Sequence, residues 1–134
     1  MTTIAPFLEM AKAGHCEAAL HGLLGLGEEV LPRLGEAYRA EPDPEVRSLL
    51  VEAIWQLRSP SSLDLLGEAL QDPSPEVWRE ALDGLATLAS PESLRILEST
   101  RDGLAVSDEE GGDGDDLREW IEGAIEDVRG RIDE

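Results

Sequence analysis

The stretch PEVRSLLVEAIWQLRSP at residues 44–60 decides the fold, because PEVWREALDGLATLASP follows it 31 positions later at residues 75–91. The two stretches share their opening triplet and their closing Ser-Pro turn, and their apolar positions stay in register in between. Two unrelated helices would not keep their turns aligned in this way. A repeat of this length is typical of stacked helix pairs, each of which buries its apolar face against the next pair. The sequence therefore predicts an all-α solenoid, whose repeats encode stacking and do not declare a ligand.

Prolines mark the joints between the apolar segments, where a proline can open a helix but cannot continue one. Asp43 and Ser74 each precede such a proline and are predicted to cap the helix that follows. Ser59 and Ser90 are assigned the same role one helix further on. These four residues set the predicted helix starts.

Apolar residues recur at steps of three and four along two of the segments and form the predicted core stripes. The stripes are Val46, Leu49, Leu50, Ala53, Ile54 and Leu57, and then Val77, Ala81, Gly84, Leu85 and Leu88. Gly84 stands one repeat after Ala53, and the small side chains at this position predict a close approach of neighbouring helices.

The prolines at the joints and the apolar stripes together predict eight helices within one domain, residues 1–134. They are expected at 3–12, 15–26, 28–40, 44–58, 61–71, 75–89, 92–102 and 116–132. Paired in order, they give four units at 3–26, 28–58, 61–89 and 92–132. The outer two units are the irregular ones, as expected for repeats that cover the ends of a stack.

The bulk composition limits the possible partners and the compartment. Thirty acidic residues against eleven basic ones give a net charge of −19, which opposes approach to nucleic acid or anionic lipid. A single cysteine, Cys16, fits a reducing compartment. The first residues lack the basic and apolar regions of a signal peptide, and no window reaches the about 18 apolar residues of a spanning helix. We expect a cytoplasmic protein.

The segment Val30–Leu34, followed by Pro42–Arg47, Glu52–Ala53 and Leu57, resembles the HEAT repeat, and the next unit matches as well. The short period is most similar to the compact HEAT-like repeats of phycobilisome lyases. The resemblance implies a short right-handed α-α superhelix of about four helical hairpins. It covers roughly residues 28–98 and implies no particular activity.

The resemblance also implies a ladder of acidic and basic residues along the stack, together with a concave surface lined by the second helix of each unit. Glu41 and Arg47 fit the ladder, whereas Asp72 is followed by Trp78 in place of a cation, and Arg118 restores the cation in the last unit. Surface residues on the second helices are expected to contact a partner. The predicted contacts are Arg47, Ser48, Val51, Trp55, Trp78, Arg79, Leu82 and Arg118. Core packing of Trp55, Trp78 and Trp120 is the alternative.

Residues 107–116 carry six acids and no base, and they predict a glycine-softened loop inserted into the last unit. The acids are Asp108, Glu109, Glu110, Asp113, Asp115 and Asp116. A solvated loop, a clamp for a basic surface, a calcium site and a cap on the last helix are all compatible with this composition. An EF-hand register from Asp108 places Asp113 where glycine is required, which argues against calcium.

No other motif suggests chemistry. His15, Cys16 and His21 do not have the spacing of a zinc site, and no phosphate-binding or nucleophile motif is found. Carboxylate pairs such as Glu52 with Asp83 are unavoidable on so acidic a chain. We therefore expect no catalytic residue, no metal and no cofactor.

The leading interpretation is a non-catalytic scaffold, a monomer or weak dimer, whose concave face binds a protein partner, with a basic protein as one candidate. A more specific alternative is an immunity protein that neutralises a basic nuclease-like toxin. An alternative of the enzyme class is a bilin lyase-like subunit. HEAT-like glycosylases need a basic groove, which this charge contradicts.

Overall fold

Eight α-helices account for most of the part of the chain that the computed structural model describes, residues 4–106 and 113–133, with side chains over 4–103 and 118–132. The helices are α1 Ala5–Lys12, α2 Cys16–Gly25, α3 Leu31–Ala40, α4 Pro44–Gln56, α5 Ser62–Ala69, α6 Pro75–Leu88, α7 Pro91–Val106 and α8 Asp113–Asp133. A short 3-10 helix, Glu28–Val30, leads into α3. These ranges contain no strand, and none of their helices is long and apolar enough to cross a membrane.

Consecutive helices pack as antiparallel pairs, and the pairs stack on one another. α1 packs on α2, α3 on α4, α5 on α6, and α7 on α8. The second helices form a continuous layer in which α2 contacts α4, α4 contacts α6 and α6 contacts α8. On the other side α5 contacts α7. This is an α-solenoid, as the repeat predicts.

The predicted stripes form the core between the two layers. Leu50 and Ile54 of α4 and Val77 and Leu85 of α6 are almost completely buried. Gly84 lies directly against Trp55, since a Cβ atom at this glycine would stand 2.5 Å from the indole ring. The close approach of α4 and α6 predicted at this position is confirmed.

The helix caps follow the sequence prediction in part. The Asp43 carboxylate accepts the amide of Glu45 at 3.0 Å, and the Ser90 hydroxyl accepts the amide of Ser93 at 3.1 Å. Ser74 holds the N-cap position of α6 without a side-chain hydrogen bond. The prediction for Ser59 is wrong, because α5 begins later, at Ser62, and the Ser59 hydroxyl accepts the Ser61 amide within the preceding turn.

A residue with positive φ follows the second helix of three successive pairs, at the same place in each repeat. Gly27, Arg58 and Ala89 have φ values of 82°, 56° and 44° and are 31 residues apart. Ala89 is a left-handed C-cap of α6 with a ψ of 54°, whereas Gly27 has an extended ψ of 179°. Only the first position is a glycine, so Arg58 and Ala89 adopt a positive φ against the steric preference of their side chains.

The last two helices are longer than predicted. α7 continues to Val106 and α8 begins at Asp113, within the segment predicted as an acidic loop. Asp113, Asp115 and Asp116 therefore belong to the first turn of α8, where acidic residues suit the helix dipole. Asp108, Glu109 and Glu110 lie outside the described residues.

Candidate protein-binding surface on the second helices

One ion pair joins the second unit to the third. Asp72, just before α6, accepts hydrogen bonds from Arg47 of α4, with Nε at 2.9 Å from Oδ2 and Nη2 at 3.1 Å from Oδ1. The same carboxylate accepts the Tyr38 hydroxyl at 2.8 Å and the Ser74 amide at 2.9 Å. Both oxygens therefore receive two hydrogen bonds each, which uses the full capacity of a carboxylate.

The protonation states of this network follow from its contacts. Burial alone would raise the pKa of Asp72, but the hydrogen bonds from Arg47, Ser74 and Tyr38 outweigh burial and lower this pKa. The Tyr38 pKa is raised, first by burial and then by its hydrogen bond to Asp72. At neutral pH a carboxylate therefore accepts from a guanidinium and a neutral phenol.

A second ion pair joins the first unit to the second. Lys12 Nζ lies 3.3 Å from Glu41 Oε1, and the Glu41 side chain is only 6% exposed. Its other carboxylate oxygen accepts the Asp43 amide at 3.2 Å, just as Asp72 accepts the amide two residues later. Glu41 and Asp72, one repeat apart, thus have the same role in their turns. Two ion pairs therefore link neighbouring units, but the cation of the second, Lys12, comes from the end of α1 and not from the position of Arg47 that the resemblance implies.

The contact between the third unit and the fourth is aromatic. Trp78 of α6 occupies the ladder position of Arg47 and meets Trp120 of α8 edge to face, with ring centroids 6.3 Å apart and planes at 72°. The guanidinium carbon of Arg79 lies 5.5 Å from the Trp78 centroid and 5.2 Å from that of Trp120. Trp78 is buried, whereas Trp120 is 50% exposed. Trp120 is therefore held by the Trp78 ring and the Arg79 guanidinium, while half of its surface stays exposed.

Carboxylates surround the neighbouring tryptophan on the same layer of helices. The Trp55 indole N–H donates to Glu80 at 2.9 Å, and the Arg58 guanidinium lies 6.0 Å from the ring centroid. Burial raises the pKa of Glu80, the hydrogen bond from Trp55 opposes that shift, and the charges of Glu52 and Asp83 raise it further. Burial also raises the pKa of Glu52. Negative charge is therefore concentrated beside Trp55, although burial disfavours the ionised forms of Glu80 and Glu52.

Comparison with known proteins agrees with this architecture. A family model described as HEAT repeats matches residues 31–104, more than half of the chain. The chain belongs to the HEAT repeat family. HEAT repeats generally mediate protein–protein interaction and are typically non-catalytic scaffolds. No curated protein and no solved structure matches the chain.

Three of the predicted contacts are part of the HEAT core. Val51, Trp78 and Leu82 are 1%, 3% and 4% exposed, so none of them offers surface to a partner. Val51 and Leu82 are one repeat apart and lie where adjacent second helices pack together. α4 and α6 are each covered by their own first helix and by second helices on either side, which leaves a narrower outward stripe than the sequence suggests. Trp78 is covered by α8.

The other predicted contacts divide between structural and accessible positions. Arg47, 15% exposed, holds Asp72 and also donates to the backbone carbonyls of Glu41 and Pro42, so its role in the HEAT array is structural. Ser48 is half-buried, and its hydroxyl donates to the Glu76 carbonyl at 3.4 Å. The remaining three lie at the surface to different degrees: Trp55 and Arg118 are half-buried and Arg79 is exposed.

Sequence reasoning named Trp120 but did not place it among the contacts. The residues inserted before α8 break the 31-residue register, so the repeat does not tell which earlier position Trp120 corresponds to. The available signal was that Trp55, Trp78 and Trp120 lie on three successive second helices. The packing against Trp78 and Arg79 becomes visible only in the fold.

Among the side chains that the structure describes, no three His, Cys, Asp or Glu residues stand close enough to hold a metal ion. Cys16 is a free thiol, half-buried, and its sulfur lies 3.8 Å from the Ala11 carbonyl. The second-helix layer thus carries two tryptophans, Trp55 and Trp120, together with Arg79 and several carboxylates.

Proposed function

We propose that this HEAT protein is a non-catalytic module that binds a protein partner on its second-helix surface, which we define by Trp55, Arg79 and Trp120 with the carboxylates Glu52, Glu80 and Asp83. The observation that carries the proposal is Trp120, which is half exposed although the Trp78 ring and the Arg79 guanidinium fix its orientation. Exposed tryptophans of this kind are uncommon on a surface that serves only solubility.

The arrangement favours strong binding at a small site. Tryptophan and arginine are enriched among the residues that dominate interface energies, and truncation of such a residue commonly costs about 2 kcal/mol or more. A ring already held in place loses little conformational freedom when a partner covers it. Excluding water would also strengthen the attraction between Arg79 and the two rings.

The charge pattern supports a basic partner. Burial raises the pKa values of Glu80 and Glu52, which lie near Asp83. A cation placed among these carboxylates would offset the cost of burying their charges and reduce their mutual repulsion. The net charge of −19 would steer a basic protein toward the surface, and this attraction weakens as salt screens it. Cationic side chains could also lie on the open part of Trp120.

A narrower version of the proposal is an inhibitor of the immunity type, which covers the nucleic-acid site of a basic enzyme. The carboxylates beside Trp55 favour it, since a cluster of carboxylates carries the same sign of charge as a phosphate backbone. A captured partner that is neither basic nor a nucleic-acid enzyme would exclude this version and leave the binding module intact.

The test uses the immobilised chain to capture a partner at low salt, followed by affinity measurements on the purified partner. Trp120→Ala should weaken binding about 30-fold, which corresponds to about 2 kcal/mol. Ile132→Ala is the matched control, because Ile132 is a second large exposed apolar residue among the described side chains of α8, at 37% exposure. It should leave the affinity within about twofold.

Two outcomes would contradict the proposal. One is a partner that binds the Trp120→Ala protein as tightly as the wild type. The other is equal weakening by both variants, which would indicate general damage to α8. Circular dichroism melts of all three proteins establish that the helices are intact before affinities are compared.

A further inference from the structure

Two cavities lie beside the turns that connect one unit to the next. The larger, of about 500 Å³, lies between α3 and the Ser59–Leu65 segment. The smaller, of about 380 Å³, lies between the Pro60–Leu63 segment and the Leu88–Glu92 turn. Ser59 lines both, so the cavities adjoin. We call the pair the turn groove.

The two cavities are repeat equivalents. Glu29 and Pro32 in the wall of the larger become Pro60 and Leu63 in the wall of the smaller, each 31 residues later. Ser59 and Ser61, from the facing wall, become Ser90 and Glu92. The groove therefore repeats with the solenoid, and its two halves are separated by one unit of the stack.

The larger cavity combines an apolar floor with an acidic rim. Leu31, Pro32 and Leu65 supply the floor, and the Leu65 side chain reaches over Gly35, where a Cβ atom would stand 2.9 Å from it.

Three carboxylates stand at the rim of this cavity. They are Glu28, Glu29 and Glu36. All three are exposed, and none of them forms an ion pair with a cation among the described residues. The fourth charged wall residue, Arg39, is already committed to Glu68, with two hydrogen bonds of 2.8 Å. The rim is therefore negative.

The smaller cavity has an apolar wall and a mixed rim. Pro60, Leu63 and Leu88 line it. Arg58 stands on one side, and on the other Glu92 pairs with Arg95 at 3.6 Å. This half of the groove accepts an apolar side chain and has no excess of negative charge.

We propose that the turn groove binds an extended segment of a partner protein, with two aliphatic side chains three positions apart and lysine or arginine beside the one that enters the larger cavity. The apolar floors select the aliphatic side chains, and the rim of Glu28, Glu29 and Glu36 selects the cations by charge complementarity.

The spacing of the two side chains follows from helix packing. Adjacent units pack through α4 and α6, and packed helices lie about 8–10 Å apart, which sets the expected offset between the two cavities. A polyproline II segment rises about 3.1 Å per residue with three residues per turn, so residues i and i+3 lie on one face about 9 Å apart. That separation matches one unit of the stack, whereas i and i+4 would point in different directions.

The groove shares no residue with the second-helix surface, although Arg58 of its smaller half lies over the Trp55 ring, and its occupancy does not depend on the function proposed above. A first test is a fluorescence anisotropy titration of the full chain with the labelled peptide KKLPPLPS, whose leucines are at i and i+3. Two peptides serve as controls: KKLPPPLS moves the second leucine to i+4, and EELPPLPS reverses the charge. We expect saturable binding of the first peptide and at least about tenfold weaker binding of both controls.

The charged rim is tested with the double variant Glu28→Lys, Glu29→Lys. It should bind KKLPPLPS about tenfold more weakly at low salt, and the difference should shrink as salt is added. The matched control is Glu9→Lys, Glu17→Lys, which changes the net charge equally at exposed positions on α1 and α2. It should bind nearly as well as the wild type.

Nuclear magnetic resonance locates the bound peptide. Amide signals of Ser59, Ser61 and Leu63 should shift on titration, while the indole N–H of Trp120 should not. The inference is overturned by an absence of saturable binding, by equal binding of the i+4 peptide, by equal weakening in both charge variants, or by shifts confined to Trp120. Concentration-dependent self-association that shifts the Ser59 and Leu63 signals without peptide would also overturn it, because the occupant would then be a second copy.

Discussion

Removing the carboxylate of Asp72 is expected to cost more stability than any surface substitution in this protein. The Asp72 side chain is 4% exposed and its carboxylate receives four hydrogen bonds, from Arg47 twice and from Tyr38 and Ser74. In Asp72→Ala the buried Tyr38 hydroxyl and the Ser74 amide lose their acceptor, and Arg47 loses its counter-charge.

The magnitude follows from those losses. Breaking a buried ion pair by removing one partner costs about 3–5 kcal/mol, and a buried donor left without an acceptor costs about 1–3 kcal/mol. Arg47 keeps its hydrogen bonds to two backbone carbonyls and is 15% exposed, which favours the lower end. We expect a loss of about 3–4 kcal/mol, a large share of the about 5–15 kcal/mol of a typical domain.

The assay is urea unfolding at pH 7, followed by circular dichroism, as a double-mutant cycle with Arg47→Met. With a typical slope of about 2 kcal/mol per molar, Asp72→Ala should lower the midpoint by about 1.5–2 M. The double variant should lose about 2 kcal/mol less than the sum of the single variants, because the methionine leaves no buried charge behind. Asp64→Ala, an exposed position on α5, is the control and should change stability by less than about 1 kcal/mol.

The pH dependence gives an independent check. Since the folded-state pKa of Asp72 is lowered, its contribution is complete above about pH 4 and is lost as the pH falls further through the folded value. The stability difference between wild type and Asp72→Ala should therefore narrow in acid. The reasoning is refuted if the single variant loses less than about 1 kcal/mol, or if the cycle is additive within about 0.5 kcal/mol.

Two further predictions concern the turn after α6 and the carboxylates beside Trp55. Ala89→Gly should gain about 0.5–1 kcal/mol in urea unfolding, because it relieves a left-handed φ of 44° at the cost of some unfolded-state entropy; Ala18→Gly in α2 should instead lose about 1 kcal/mol, and a loss at both sites would contradict the argument. Glu80→Gln should be more stable than the wild type at pH 7, since the pKa of Glu80 is raised and its ionised form is disfavoured in the fold. This gain should shrink as the pH falls toward about 4, where the wild-type carboxyl is protonated, and a gain that is the same at both pH values would exclude the electrostatic cause.

The repeat predicted the central helices well because local signals agree with each other there. Asp43 caps α4, and the stripe from Val46 to Ile54 faces the core as its period requires. Gly84 was read correctly as a packing contact, since a glycine inside a helix is costly without such a reason.

The candidate surface was harder to predict because it depends on what covers each helix. Periodicity separates apolar from polar positions, but it does not show that second helices also pack side by side, which is why Val51 and Leu82 were assigned to the surface. Trp120 follows an insertion that breaks the register. The turn groove depends on the volume left between side chains, and no pattern in the sequence reports that volume.

The joints between units are of two physical kinds. Lys12 with Glu41 and Arg47 with Asp72 are ionic, whereas Trp78 with Trp120 is aromatic. Acid weakens the Arg47–Asp72 joint, because it protonates a carboxylate whose pKa is lowered in the fold, whereas cooling weakens apolar association. Amide exchange should therefore show α8 loosening from α6 first in the cold and α4 loosening from the Asp72 turn first in acid. One short array would then come apart at different joints, depending on the stress applied.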